Sequence, residues 1–133
     1  MKKNGILNSQ IARVLSTLRH TDQIVIGDAG LPVPNGVEEI DIALKLGVPT
    51  FIEVLEELLK DMKIEKVILA DEIKTENSDQ LQDVMKLIQL DDGAIDFVSH
   101  EHFKELTANT KVIIRTGEMT PYSNIILQSD VIF

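Results

Sequence analysis

Gln23-Ile24-Val25-Ile26-Gly27-Asp28-Ala29-Gly30-Leu31-Pro32-Val33-Pro34 reads as a buried strand that runs straight into a loop shaped by glycine and proline. A short, unbroken apolar run bounded by turn residues is the pattern of a strand covered on both faces. The glycines and prolines of residues 30–36 fix local backbone geometry, so this stretch is a structured loop and not a linker. Upstream, Asn8 or Ser9 can cap a helix that reaches about residue 19, with Ile11, Val14, Leu15 and Leu18 on its inner side. Helix and strand then keep alternating. Residues 39–44 alternate like a half-buried strand, and Thr50 caps a helix through 62 carrying Ile52, Leu55, Leu58 and Leu59. Residues 66–70 read as a strand, 78–90 as a helix, 94–99 as a strand, 100–107 as a short helix and 111–115 as a strand. A terminal strand region follows at 124–128 and 131–133. The expectation is an α/β fold: a single-domain sheet with helices packed on it, spanning 1–133. The apolar end at Phe133 can dock into the sheet or against another subunit, and docking within its own subunit is the expected outcome.

Composition narrows the function. A chain of 133 residues buries roughly two-thirds of its unfolded surface, enough for a core without cross-links. It has no cysteine, which excludes disulfides, a thiolate nucleophile and Cys-based zinc sites. The lysines at positions 2 and 3 precede no long apolar stretch, and nothing approaches the ~18 apolar residues of a membrane span. The expected location is the cytoplasm, with no membrane partner. The formal net charge is −9, with one Tyr, four Phe and no Trp. Such a chain repels phosphate backbones and has few rings for base stacking, so nucleic acid is not an expected partner.

Three clusters can carry chemistry. His20 follows the first helix and Asp28 ends the first strand, eight positions later. The expectation is that the chain folds back and turns both toward one pocket, where an imidazole near its neutral-pH transition and a carboxylate suit proton transfer on a small polar molecule. The plainer readings are a helix-end His answering the dipole and a turn-forming Asp. Open α/β sheets place ligands at strand carboxyl ends, which favours Asp28 as a ligand residue. The loop lacks the spacing of a phosphate-binding motif. The second cluster is Ser99-His100-Glu101-His102. His100 and His102 could share a metal with Asp28 or His20, but on a helix positions two apart diverge. Ser99 as helix cap over His102 is the plain alternative, and His100 gripping a hydroxyl the sharper one. The third cluster offers Glu118, Tyr122 and Asn124 after a strand: a carboxylate, a phenol and an amide suited to a polyol or sugar. The serines lack a nucleophile-elbow setting.

These clusters together resemble the D-ribose pyranase family, also called ribose mutarotases, related to the fucose mutarotases. The likeness runs through Met1-Lys2-Lys3-Asn4-Gly5-Ile6-Leu7-Asn8, His20-Thr21-Asp22, Gly27-Asp28-Ala29-Gly30-Leu31-Pro32, Ser99-His100-Glu101, Arg115-Thr116-Gly117-Glu118 and Pro121-Tyr122-Ser123-Asn124. The resemblance implies an isomerase that interconverts pyranose and furanose D-ribose, with His20 as proton donor and Asp28, His100, Tyr122 and Asn124 binding the sugar. It also implies no cofactor, no metal, a cytoplasmic location and a ring-like homo-oligomer, often a decamer of two pentamers, with sites between subunits. No role is carried to His102, where the family more often has an acidic residue. Competing expectations are a fucose-type mutarotase, a non-catalytic sugar-binding ring protein and a metal-dependent hydrolase.

Overall fold

Two capped helices frame the first half of the chain. In the computed structural model, which describes residues 1–133, Asn8 Oδ1 accepts the Ile11 N–H at 3.0 Å and starts α1 (Ser9–Thr17). Thr50 and Glu53 satisfy each other's amides in a capping box that starts α2 (Phe51–Asp61). Each bond removes one of the unpaired donors that every helix start exposes. Between these helices lie β1 (Gln23–Gly27) and β2 (Glu38–Asp41). After them come β3 (Ile64–Ala70), α3 (Ile73–Glu76), α4 (Ser78–Leu87), β4 (Ile95–Val98), α5 (His100–Leu106), β5 (Val112–Arg115) and β6 (Ile125–Ser129).

The strands form one six-stranded sheet in the order β2-β5-β1-β6-β3-β4. Neighbours β2/β5, β5/β1 and β3/β4 are parallel, whereas β6 is antiparallel to both β1 and β3. Five strands therefore share one direction, and β6 enters the middle of the sheet from their carboxyl ends. Side-chain alternation splits the core across the two faces. Ile24, Ile26, Ile125 and Leu127 join the larger core, which also contains Val14 of α1, Leu55 of α2 and Val84 of α4. Val25, Ile113 and Ile126 face the smaller core, closed by Phe103 of α5 and by Leu31. Burial on both faces explains why β1, β5 and β6 are nearly continuous runs of Ile, Val and Leu.

The α/β single-domain reading stands, with three corrections. Strand 39–44 is shorter, since after Asp41 the chain turns toward a bridge between Lys45 and Val48. Helix 78–90 ends at Leu87, and α3 precedes it where no helix was expected. Residues 131–133 form no strand and do not dock within the subunit: Ile132 is 87% and Phe133 99% exposed. The reason is topological. β6 is already paired on both edges by β1 and β3, so the chain that leaves it meets no vacant strand edge.

Candidate active site

The carboxyl edge of the sheet gathers four of the five residues singled out from the sequence. Asp28 follows β1, Asn124 precedes β6, and His100 opens α5 after β4. Asn124 is fully buried and binds Asp28 twice. Its Oδ1 accepts the Asp28 backbone N–H at 2.8 Å, and its Nδ2 donates to Asp28 Oδ2 at 3.0 Å. Asp28 Oδ1 accepts the Gly30 N–H at 2.9 Å. The carboxylate is thus held from both ends while remaining half-buried rather than sealed.

His100 sits at the first position of α5. Ser99 caps that helix by accepting the His102 N–H, as the plainer reading held. Glu72, just after β3, accepts the His100 backbone N–H at 2.9 Å. The imidazole stacks on Phe103 (centroids 6.4 Å apart) and meets the Tyr122 ring edge-on (5.2 Å, 80°). Its buried Nδ1 has no hydrogen-bond partner in the chain. Tyr122 itself adopts a left-handed backbone with φ 56°, unusual for a bulky residue and typical of sites held by their surroundings.

Glu118 turns out to be structural rather than a sugar contact. Its Oε1 accepts from the Phe51 N–H at the start of α2 and from Gln80 Nε2, and its Oε2 accepts from Met119, Thr120 and the Thr120 hydroxyl. Burial pushes this carboxyl up, but the amides of Phe51 and Thr120 and the Thr120 and Gln80 side chains outweigh it and hold it below its ordinary range. The knot locks the loop that presents Tyr122 and Asn124. Gly117 lets that loop lie flat against residues 45–48, because a Cβ there would stand 2.4 Å from the Val48 carbonyl oxygen.

His20 is elsewhere. It lies beyond α1, before β1, at the opposite edge of the sheet. At about 3.3 Å per strand residue, roughly 15–20 Å of β1 separates it from Asp28. The expectation that both face one pocket of the same chain is therefore corrected: a strand running between two residues holds them apart, whatever their spacing in sequence. His20 is half-exposed and donates Nε2–H to Glu65 Oε2 at 3.0 Å. It borders an open groove of about 550 Å³ whose walls include Leu18, Ser129, Ile132 and Phe133. The His100–His102 metal pairing has no geometric basis, since His102 turns to Glu105 on the outer face of α5. A different group, His20 with Glu65 and Asp130, brings its ligand atoms within 4.8 Å of one another. Glu65, Gln128, Glu72 and Gln80 escaped the sequence reading. Their partners are 28 to 105 positions away, and among its sequence neighbours each looks like any solvated polar residue.

A half-open sheet edge holding a clamped carboxylate, an imidazole and a phenol ring defines a small α/β protein whose strand carboxyl ends have the chemistry to take a polar ligand. The chain belongs to the RbsD / FucU transport protein family, whose model matches residues 1–132. The D-ribose pyranase of Streptococcus agalactiae is 57% identical over 133 residues, covering 99% of each chain. The structure of Bacillus subtilis RbsD complexed with D-ribose is 51% identical and superposes with a TM-score of 0.94 over all of both chains. The fucose mutarotase in complex with L-fucose from Streptococcus pneumoniae shares the fold at 23% identity, with a TM-score of 0.76 over 96% of this chain and 95% of that one. No helix is long and apolar enough to cross a membrane.

Proposed function

We propose that this chain is a D-ribose pyranase, an isomerase that interconverts the pyranose and furanose forms of D-ribose. The observation that carries the reading is the Asp28–Asn124 clamp beside His100 and Tyr122 at the sheet's carboxyl edge, in a chain more than half identical to D-ribose pyranases. Asp28 keeps free lone pairs for sugar hydroxyls. The unpaired Nδ1 of His100 can bind another hydroxyl, and the Tyr122 ring gives the sugar's carbon face something to pack on.

The reaction needs one proton given and one taken at each stage. His20 donates a proton to the ring oxygen as its bond to the anomeric carbon breaks, while the anomeric hydroxyl gives its proton to Asp28. The open aldehyde turns, and the hydroxyl on the fourth carbon attacks it. That hydroxyl's proton returns to His20, and Asp28 returns its own to the carbonyl oxygen. No electrons are gained or lost. General acid–base help of this kind is worth roughly 10²–10⁴-fold, or about 3–5 kcal/mol of barrier.

One chain cannot bring its own His20 to its own Asp28. The site is therefore shared, with His20 of one copy facing the carboxyl edge of the next in a closed, cytoplasmic ring, a decamer of two pentamers. Exposed Leu44 and Leu46 near the carboxyl edge, and Ile132 and Phe133 beside His20, supply the apolar surface such contacts need. Saturation-transfer NMR on equilibrating ribose tests the assignment. His20→Ala is expected to keep the fold and ribose binding and to lose most of the catalysed exchange. Wild-type exchange in that variant would remove His20 from the mechanism, and faster exchange of fucose than ribose would favour the fucose-type reading. Ribose binding with no accelerated exchange by the wild-type protein would leave a sugar-binding ring protein.

A further inference from the structure

We infer that Glu65 is a positioning residue for the proton transfer: it receives the Nε2–H of His20 and so presents Nδ1 to the sugar. This rests on the reading of His20 as proton donor. The contact itself spans 45 sequence positions at 3.0 Å. Glu65 is in turn held by a row of amides across the sheet. Gln128 Nε2 donates to Glu65 Oε1 at 2.7 Å, and Gln23 Nε2 donates to Gln128 Oε1 at 2.8 Å. The row links β1, β6 and β3 and ends on the imidazole.

Two backbone irregularities serve this one contact. In the β3–β6 ladder Ile64 stands opposite Ser129 and Lys66 opposite Gln128. Glu65 is the extra residue of a bulge, a device that re-aims a side chain out of the regular pleat. On the other side, Thr21 next to His20 has φ 69°, a left-handed conformation rare for a β-branched residue. It is held by Thr21 N–H on the Ser129 carbonyl (3.0 Å), Ser129 N–H on the Asp22 carbonyl (2.8 Å) and the Asp22 carboxylate on the Arg19 N–H (2.7 Å). An incidental surface ion pair needs neither feature.

Of the other charged groups nearby, Asp130 brings a carboxylate oxygen within 4.8 Å of His20, but the hydrogen bonds of Asp130 and Arg19 go to other partners. Asp130 bonds the Val131 N–H and pairs with Lys63, and the Arg19 guanidinium donates to the Thr17 and Leu18 carbonyls. Hydrogen bonds from Gln128 and then His20 hold the Glu65 carboxyl below its ordinary range, so it stays ionised and acts only as acceptor. An acceptor at one ring nitrogen fixes which nitrogen is left to exchange a proton.

A double-mutant cycle tests this, read as ribose-form exchange by saturation-transfer NMR and as ribose affinity by calorimetry. Glu65→Ala and His20→Ala are each expected to slow maximal exchange at least tenfold, a part of the ~10²–10⁴ that acid–base catalysis supplies, with affinity little changed. The double variant is expected to be no slower than His20→Ala alone. If Glu65→Ala does not fold, Glu65→Gln takes its place, since one amide oxygen cannot serve both Gln128 and His20 as the carboxylate does. Losses that multiply in the double variant, or a loss of affinity without a loss of rate, would overturn the inference in favour of a structural role. Wild-type exchange in the Glu65 variants alone would overturn it and leave His20 as donor, whereas wild-type exchange in both single variants would remove His20 as well.

Discussion

Asn124, a sugar-binding position by resemblance, spends its amide oxygen and one N–H on Asp28 and so aims that carboxylate, while its second N–H remains for a hydroxyl. Asn124→Asp keeps the size but sets a second carboxylate against Asp28, and like charges at this range oppose each other's ionisation. Ribose affinity measured by calorimetry is expected to fall at least tenfold, or about 1.4 kcal/mol. Glu118 gives a prediction of a different kind. Its folded-state carboxyl is held below its unfolded value. Its contribution to stability is therefore complete above the unfolded value and is lost as pH falls through the folded one. Thermal melts across that acidic range are expected to show a shallower pH dependence in Glu118→Gln than in the wild type, with a lower melting temperature at neutral pH.

At the scale of elements, α5 places His100 and is anchored by Phe103, with Leu106 packed beside it. Phe103 is fully buried against Val25, Ile68 and Ile126 on the thinner side of the sheet. Phe103→Ala is expected to cost about 3–5 kcal/mol in denaturant unfolding. Because Phe103 also stacks on His100, ribose affinity is expected to weaken with it. Strand identities were legible here because Ile24 to Ile26, Val112 to Ile114 and Ile125 to Leu127 are runs that only a doubly covered sheet accommodates. Element ends were less legible. Helix 78–90 stops at Leu87 because the chain must extend toward β4, and α3 carries too few residues to show a period.

At the scale of the whole molecule, β1 sets the assembly problem: the imidazole we propose as proton donor lies at one edge and the carboxylate we propose as sugar ligand at the other. Co-expressing His20→Ala with Asp28→Asn, each inactive alone, tests the shared site. Random 1:1 assortment in a closed ring gives about a quarter of the sites both intact groups, so exchange activity is expected to return to roughly that fraction. No recovery in isolated mixed oligomers would show that each site draws both groups from one copy. His20, Asp28, His100, Tyr122 and Asn124 all stood out as chemically able residues near element ends. Which of them meet depends on strand order, and no local pattern encodes that β6 inserts antiparallel between β1 and β3.

Residue order was therefore sufficient for the α/β class, for the helix cap at Thr50, for a cap at Asn8 or Ser9 and a candidate cap at Ser99, and for the set of groups able to move protons and grip hydroxyls. These follow from periodicity, capping chemistry and side-chain type, which act over a few neighbouring positions. Three-dimensional packing alone settled that His20 and Asp28 lie at opposite edges, that Asn124 and Glu118 serve their neighbours, and that Glu65 reaches His20 from a bulge. Those outcomes come from contacts between positions remote in the chain, formed when the sheet closes around β6.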